Sequence, residues 1–269
     1  MHTISTNKEV WSRRMCALYC NNEECLSFSY TMADNICETY SKMISEVPQA
    51  STSTSTVYFT KDFSRCPQES PTGVYRIDTE LGITIEVFCD MDTDEAPWIV
   101  IQRRVNGDVD FYRDWDSYKT GFGDFLGNFW LGNENLHLLT KYPRILRVEL
   151  EAWDGTRGYA QYSTFSVSSE DQNYQLGVAG FSGDVSYDAM STLDARAFST
   201  YDRDGDINPS VNCAELRHCG WWLFNCTRVN INGRYQAHEE NLTQAMTWVY
   251  FPDTMKYLLP LKQTKMMIR

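Results

Sequence analysis

Apolar and polar residues alternate clearly in the middle of the chain. Over Ile145–Ala152, Leu146, Val148 and Leu150 interleave with Arg147, Glu149 and Glu151, the period-two pattern of a strand with one buried face. Tyr159–Val167 alternates again, and Asp154-Gly155 between them reads as the turn of an antiparallel hairpin. Thr72–Ile77, Ile83–Cys89 and Trp98–Arg103 also read as strands. Trp115–Thr120 and Asn133–Lys141 are short helical candidates, with Asn133 as the cap of the second. Near the start, Glu9–Tyr19 fits a helix that carries Cys16 and Cys20 one turn apart on one face. Leu26, Phe28 and Tyr30 then alternate as a strand, and ICETY (36–40) and VYFTK (57–61) follow as two more. The tract Ser51–Thr56 has the composition of a linker, but the strand behind it suggests a long loop within one small domain. From Gly180 to the end the periodicity fades. An irregular stretch of that length in a compact domain points to a functional region held by metal, disulfides and packed rings.

Composition narrows the class. The chain has 269 residues, 42% hydrophobic and 14% aromatic, enough for one large or two modest domains with a real core. Against 24 Lys and Arg stand 36 Asp and Glu, giving a net charge of -12. Such a surface argues against duplex nucleic acid or an anionic membrane as the main partner, because phosphate binding wants clustered cations. No apolar run is long enough for a membrane span. The opening MHTISTNKEVWSRR lacks a signal-peptide core, so an extracellular location is read from the cysteines instead. There are nine of these, no CxxC pair and only four His. A disulfide framework in an oxidising compartment therefore fits better than a zinc site. A Cys66–Cys89 bridge would pin the two strands that Cys66 introduces. Four bridges use eight cysteines and leave one over.

Between Cys89 and His137 the rings Trp98, Phe111, Tyr112, Trp115, Tyr118, Phe122, Phe125, Phe129 and Trp130 crowd among acids and glycines. That mixture is too polar for a membrane and too aromatic for a linker, so it must fold compactly. The segment resembles the opening half of a fibrinogen C-terminal-like domain. The resemblance continues through YSTFSVSSEDQNYQL, FSTYDRDGD, NCAELRHCGWWLFNC and NINGRY, and runs from about Ser64 to Arg269. Ahead of it, the helix with its cysteines, the C-x-SFSY and C-x-x-Y strands and the closing VYFTK resemble a PAN/apple-type module. The two resemblances imply an α+β chain: a small PAN/apple-like domain over 1–62, then a disulfide-stabilised fibrinogen C-terminal-like domain over 63–269 with a twisted antiparallel sheet, short helices and a long irregular calcium- and ligand-binding region. The PAN/apple pairing would join Cys16 to Cys37 and Cys20 to Cys25. Sixty residues make a small core, and each bridge would contribute roughly 2–5 kcal/mol.

The segment Thr200–Thr227 carries the candidate site. Asp202, Asp204 and Asp206 alternate with other residues and offer hard oxygen ligands, which favour Ca2+ over a transition metal. An EF-hand is excluded, since Ile207 and Cys213 stand where that loop needs Gly and Glu. The fibrinogen-like resemblance implies calcium held by the side chains of Asp204 and Asp206 and by the carbonyls of Asn208 and about Ser210. It also implies a Cys213–Cys226 bridge and a cis peptide bond at Asn225–Cys226, a geometry that costs about 2.5–4 kcal/mol outside proline. Such a bond would turn the amides of Cys226 and Thr227 into one cavity suited to an acetyl group. This chain departs from the family in having Thr227 where His is usual. Asn225 belongs to the pocket with Cys226 and Thr227, and the outer wall is expected to involve Asn230, Tyr235, Trp248 and Tyr250, while Trp221 and Trp222 are better suited to the core. Cys219 has no family partner, which leaves it unpaired or available to a second chain. Asn241-Leu-Thr is a glycosylation sequon on an expected surface loop; Asn225-Cys-Thr also fits, but a bridged cysteine makes it a poor acceptor.

No nucleophile motif, HExxH or phosphate-cradling glycine loop occurs. Glu149 and Glu151 share a strand face and read as a salt-bridged surface, not a catalytic pair. The chain is therefore expected to bind and not to catalyse. The leading expectation is a secreted, calcium-dependent lectin like ficolins and tachylectins, recognising acetylated glycans or other acetylated compounds on microbial surfaces. The alternative is a protein-binding module of the clotting or angiopoietin kind. Weak single sites would call for a homo-oligomer.

Overall fold

The structure is a computed structural model. It describes Ser64–Arg269 except Glu69, Glu80, Thr227 and Glu239, together with the backbone of four strands before Ser64. Two compact units divide the chain: Met1–Glu69 with Ile77–Thr84, and Ser70–Arg76 with Ile85–Arg269.

In the first unit, β1 (Thr3–Asn7), β2 (Ser27–Thr31), β3 (Ile36–Tyr40) and β4 (Thr56–Thr60) form an antiparallel sheet in the order β1-β3-β2-β4. The last three are the strands expected from the alternation in SFSYT, ICETY and VYFTK. The helix expected over Glu9–Tyr19 and the pairings Cys16–Cys37 and Cys20–Cys25 lie outside the described residues.

The second unit is built on β5 (Gly73–Asp78), β6 (Thr84–Asp90), β7 (Trp98–Arg104), β8 (Phe122–Gly123), β9 (Phe129–Trp130), β10 (Arg144–Ala152), β11 (Arg157–Val167), β12 (Leu176–Gly183) and β17 (Leu261–Ile268). The main path of this sheet runs β12-β11-β10-β17-β7-β6-β5. The final strand of the chain thus lies at its centre, antiparallel to both β10 and β7. Four more two-residue strands, β13 (Phe198–Ser199), β14 (Trp221–Trp222), β15 (Val229–Asn230) and β16 (Thr247–Trp248), pair outside it. The alternation of β10 is realised in space. Leu146, Val148 and Leu150 are buried, while Arg147, Glu149 and Glu151 face a ladder of ion pairs with Lys265, Arg157 and Lys262. Glu149 and Glu151 are accordingly a salt-bridged sheet face.

Three short helices flank the sheet: α1 (Trp115–Thr120), α2 (Asn133–Leu139) and α3 (Cys213–Arg217). Asp114 caps α1 by accepting the Ser117 amide at 2.9 Å. The expected cap of α2 is corrected. Gly132 takes that position at φ 104°, a left-handed conformation that favours glycine. Asn133 is already helical and buried, and its Oδ1 accepts the Trp130 indole at 3.0 Å. Between sheet and helices the aromatic core forms around Tyr118, Trp130, Phe198, Trp221 and Trp222, all fully buried. Burial of such rings supplies the dominant driving force, about 25 cal/mol per Å² of apolar surface. No helix among the described residues is long and apolar enough to cross a membrane.

Candidate functional site

The irregular segment between β13 and β15 is tied together by short side chains that replace regular backbone pairing. Asp202 accepts the Trp115 amide at 3.0 Å and the Thr200 hydroxyl at 2.7 Å. It therefore anchors the loop to α1. Asp206 is half-buried and accepts the amides of Asn208 at 2.6 Å and Cys213 at 2.7 Å, one on each carboxylate oxygen. Asp204 is exposed, and its Oδ1 accepts the Asp206 amide at 3.1 Å. Asn208 accepts the Ser210 amide at 3.0 Å and donates through Nδ2 to Asn225 Oδ1 at 2.8 Å. Asp204, Asp206, Asn208 and Ser210 are thus gathered in one turn, and that turn is fastened both to Cys213 and to Asn225.

The carboxylates of Asp204 and Asp206 are hard oxygens of the kind a divalent cation such as calcium takes. Burial raises the proton affinity of Asp206 above its ordinary value; the amides of Cys213 and Asn208 work against that rise, and the negative charge of nearby Asp204 adds to it. Two carboxylates held side by side repel, and a divalent cation between them would remove that repulsion. Among the described residues no cluster of three or more His, Cys, Asp or Glu could hold a metal. The remaining ligands would have to be neutral oxygens such as the carbonyls of Asn208 and Ser210.

The neighbouring turn is closed by the Cys213–Cys226 disulfide, with Cα atoms 5.0 Å apart. Cys66 and Cys89 are each disulfide-bonded as well. Asn212, which the sequence reading passed over, caps α3 by accepting the amides of Ala214 and Glu215, and donates to the carbonyls of Thr200 and Tyr201. Its position just before CAELR was the available signal.

Several expectations for the pocket need correction. Among the described residues the cis peptide bond is Phe251–Pro252, so Asn225–Cys226 is trans. The chain turns there by placing Cys226 at φ 35°, a left-handed conformation. The Cys226 amide donates to Cys213 Sγ at 3.0 Å and is not turned toward a ligand cavity. Thr227 lies outside the described residues. Asn230 is buried, with Nδ2 donating to the carbonyls of Arg217 and Ala245. It braces α3 against the 244–245 segment. Trp248 is fully buried and donates to the Tyr187 carbonyl at 3.0 Å, so it is a core residue. Tyr235 is half-buried and packs against Trp153, with ring centroids 5.7 Å apart. Tyr250 is half-buried between Tyr187 and Tyr257. Asn225 is exposed beside Asn208. Of the two readings left open for Cys219, unpaired or interchain, the structure shows the unpaired one. It is free and fully buried, and burial pushes its thiol up to about 12, leaving it protonated and out of reach of a second chain.

Comparison with known proteins gives the wider context. The chain is 47% identical to human ficolin-3 over 168 residues, 62% of this chain and 56% of that protein. It is 46% identical to human angiopoietin-related protein 7 over 182 residues, 65% of this chain and 52% of that protein. It thus spans about half the length of the curated relatives it matches. Among solved structures it superposes on a lamprey fibrin D-dimer complexed with the peptide Gly-His-Arg-Pro-amide, with a TM-score of 0.64 and 32% identity, covering 74% of this chain and 69% of that one. The family described as fibrinogen beta and gamma chains, C-terminal globular domain, matches residues 61–269. By the extent of that match, this chain belongs to the fibrinogen C-terminal domain family.

Proposed function

We propose that the chain is an extracellular, non-enzymatic recognition protein whose site-bearing segment, Thr200 to Thr227, is braced by calcium, and that its ligand is an N-acetylated glycan or another acetylated compound of a microbial surface, as in innate defence. One observation carries this reading. The acidic turn is hydrogen-bonded directly to both ends of the disulfide-closed loop, at Cys213 through Asp206 and at Asn225 through Asn208. An ion bound to Asp204 and Asp206 would stiffen the recognition turn without touching the ligand. The likeness to ficolin-3 supports it.

A second reading, a protein- or peptide-binding module, has its own support. The Cys226 amide is engaged by sulfur, and Trp248 and Asn230 are buried, so an acetyl pocket would have to form from other groups. Identity to angiopoietin-related protein 7 is nearly the same as to ficolin-3.

Affinity chromatography separates the two. The lectin reading expects retention on acetylated resin in calcium and elution by N-acetylglucosamine or by EDTA. Passage straight through that resin in calcium, with capture on an immobilised Gly-His-Arg-Pro peptide, would favour the second reading.

A further inference from the structure

The chain carries the pattern Asn-X-Ser/Thr at Asn208, Asn225 and Asn241. Proline in the middle position excludes the first as a glycan acceptor. We propose that Asn241 carries an N-linked oligosaccharide and that Asn225 does not. The structure adds to the sequence reading of these two sites the state of each side-chain amide and of the turn that carries it. Asn241 and Thr243 are both exposed, in a turn closed by the Gln244 amide donating to the Asn241 carbonyl at 2.9 Å. Asn241 sits at φ 50°, which asparagine tolerates better than most residues. No protein group bonds its side-chain amide among the described residues. Asn225 is exposed too, but its Oδ1 accepts from Asn208 and its next neighbour is disulfide-bonded Cys226.

The turn at Asn241 is also firmly placed. Arg217 donates to the Thr243 carbonyl at 3.1 Å, and Gln236 donates to the Glu240 carbonyl. Asn230 Nδ2 reaches the Ala245 carbonyl at 3.2 Å. These contacts use backbone carbonyls and leave the Asn241 amide and the Thr243 hydroxyl in solvent. The modification therefore costs the fold no contact of its own. In the transfer, Asn241 Nδ2 forms a C–N bond to the anomeric carbon of a lipid-diphosphate-linked oligosaccharide. The bond from that carbon to the diphosphate oxygen breaks, one amide proton is lost, and the lipid diphosphate leaves. The inference shares with the proposed function only the secretory route and is independent of what the protein binds.

The test is to secrete the whole chain from animal cells behind a leader and treat it with a peptide-N-glycosidase. A loss of mass equal to one glycan, with Asn241 converted to Asp in the peptide map, is the expected result. Asn241→Gln should abolish the shift and Asn225→Gln should leave it intact. Thr243→Ala, which keeps the carbonyl that Arg217 uses, should abolish it as well. Thr243→Ser should restore it, which guards against a fold defect in the first variant. A secreted parent with no glycan, or a shift that survives Asn241→Gln and disappears with Asn225→Gln, overturns the assignment.

Discussion

At the scale of single residues the site is a matter of charge held against repulsion. Asp206 keeps its place through two backbone amides, and Asp204 is held beside it. Removing one carboxylate therefore has opposite effects with and without metal. In EDTA, Asp204→Asn should melt at or slightly above the parent temperature, since a like-charge contact is relieved. In millimolar calcium the parent should gain several degrees, as any ligand that binds only the native state stabilises it, and the variant should gain little. Equal calcium shifts in both proteins, read by differential scanning calorimetry, would remove Asp204 from the ligand set. Asp202→Asn belongs to another class, because that carboxylate holds the start of α1. The alternating Asp residues were legible in the sequence. Their division of labour was not, because it depends on which amides each carboxylate meets after folding.

At the scale of elements, the unperiodic second half of the domain is organised by rings. Trp222 packs edge-on against Phe165, Phe198 and Trp221, with centroids 5.1–6.2 Å apart, and its indole donates to the Tyr174 carbonyl at 2.7 Å. Through β14 it also pairs with β13, which leads into the acidic turn. Trp222→Ala should cost about 3–5 kcal/mol in urea unfolding, the usual price of emptying a large aromatic site. Trp222→Phe keeps most of the volume but strands the Tyr174 carbonyl, and should cost about 1–3 kcal/mol. A near-neutral alanine variant would mean that the cluster is not the nucleus of this half. The same packing explains why some expected pocket residues proved structural. Trp248 and Asn230 lie in a motif-rich stretch, and composition does not distinguish a ring that lines a ligand from one that closes a core. The NINGRY motif is similarly structural. Buried Arg104, lying over the Phe111 ring, donates to the Ile231 and Gly233 carbonyls, and Gln102 donates to Asn232.

At the scale of the whole molecule, β10 and β11 announced themselves by strict alternation, whereas β17, the central strand, went unread. Its pattern is blurred because Met266, Met267 and Ile268 are all buried in succession. A strand covered on both faces loses the period-two signal. That sheet carries the ion pairs that set the response to acid. Lys262, followed by Arg157, holds the Glu151 carboxyl below the usual range, and off the sheet Lys119 does the same for Glu170. Burial pushes Asp90 upward, but Lys265 and the amides of Asp92 and Thr93 outweigh it and leave the group below its ordinary value. Stability from such groups is present above the unfolded carboxylate range and is lost as pH falls through the lower native values. His218 acts earlier. Burial first, and then Arg234, whose guanidinium lies 3.0 Å from Nε2, hold it below its ordinary 6.5, while Asp110 and Glu215 pull weakly the other way and Tyr112 stacks on the ring. Between 6.5 and the native value the unfolded chain binds a proton that the folded chain refuses, so stability declines as pH drops through that window. Urea midpoints measured by tryptophan fluorescence should therefore fall in two steps on acidification, one below pH 6.5 and one in the carboxylate range. His218→Asn, a residue that accepts the left-handed backbone at this position (φ 51°), should flatten the first step and leave the second. If the upper step persists in that variant, the early acid sensitivity arises elsewhere and the Arg234–His218 contact does not govern it.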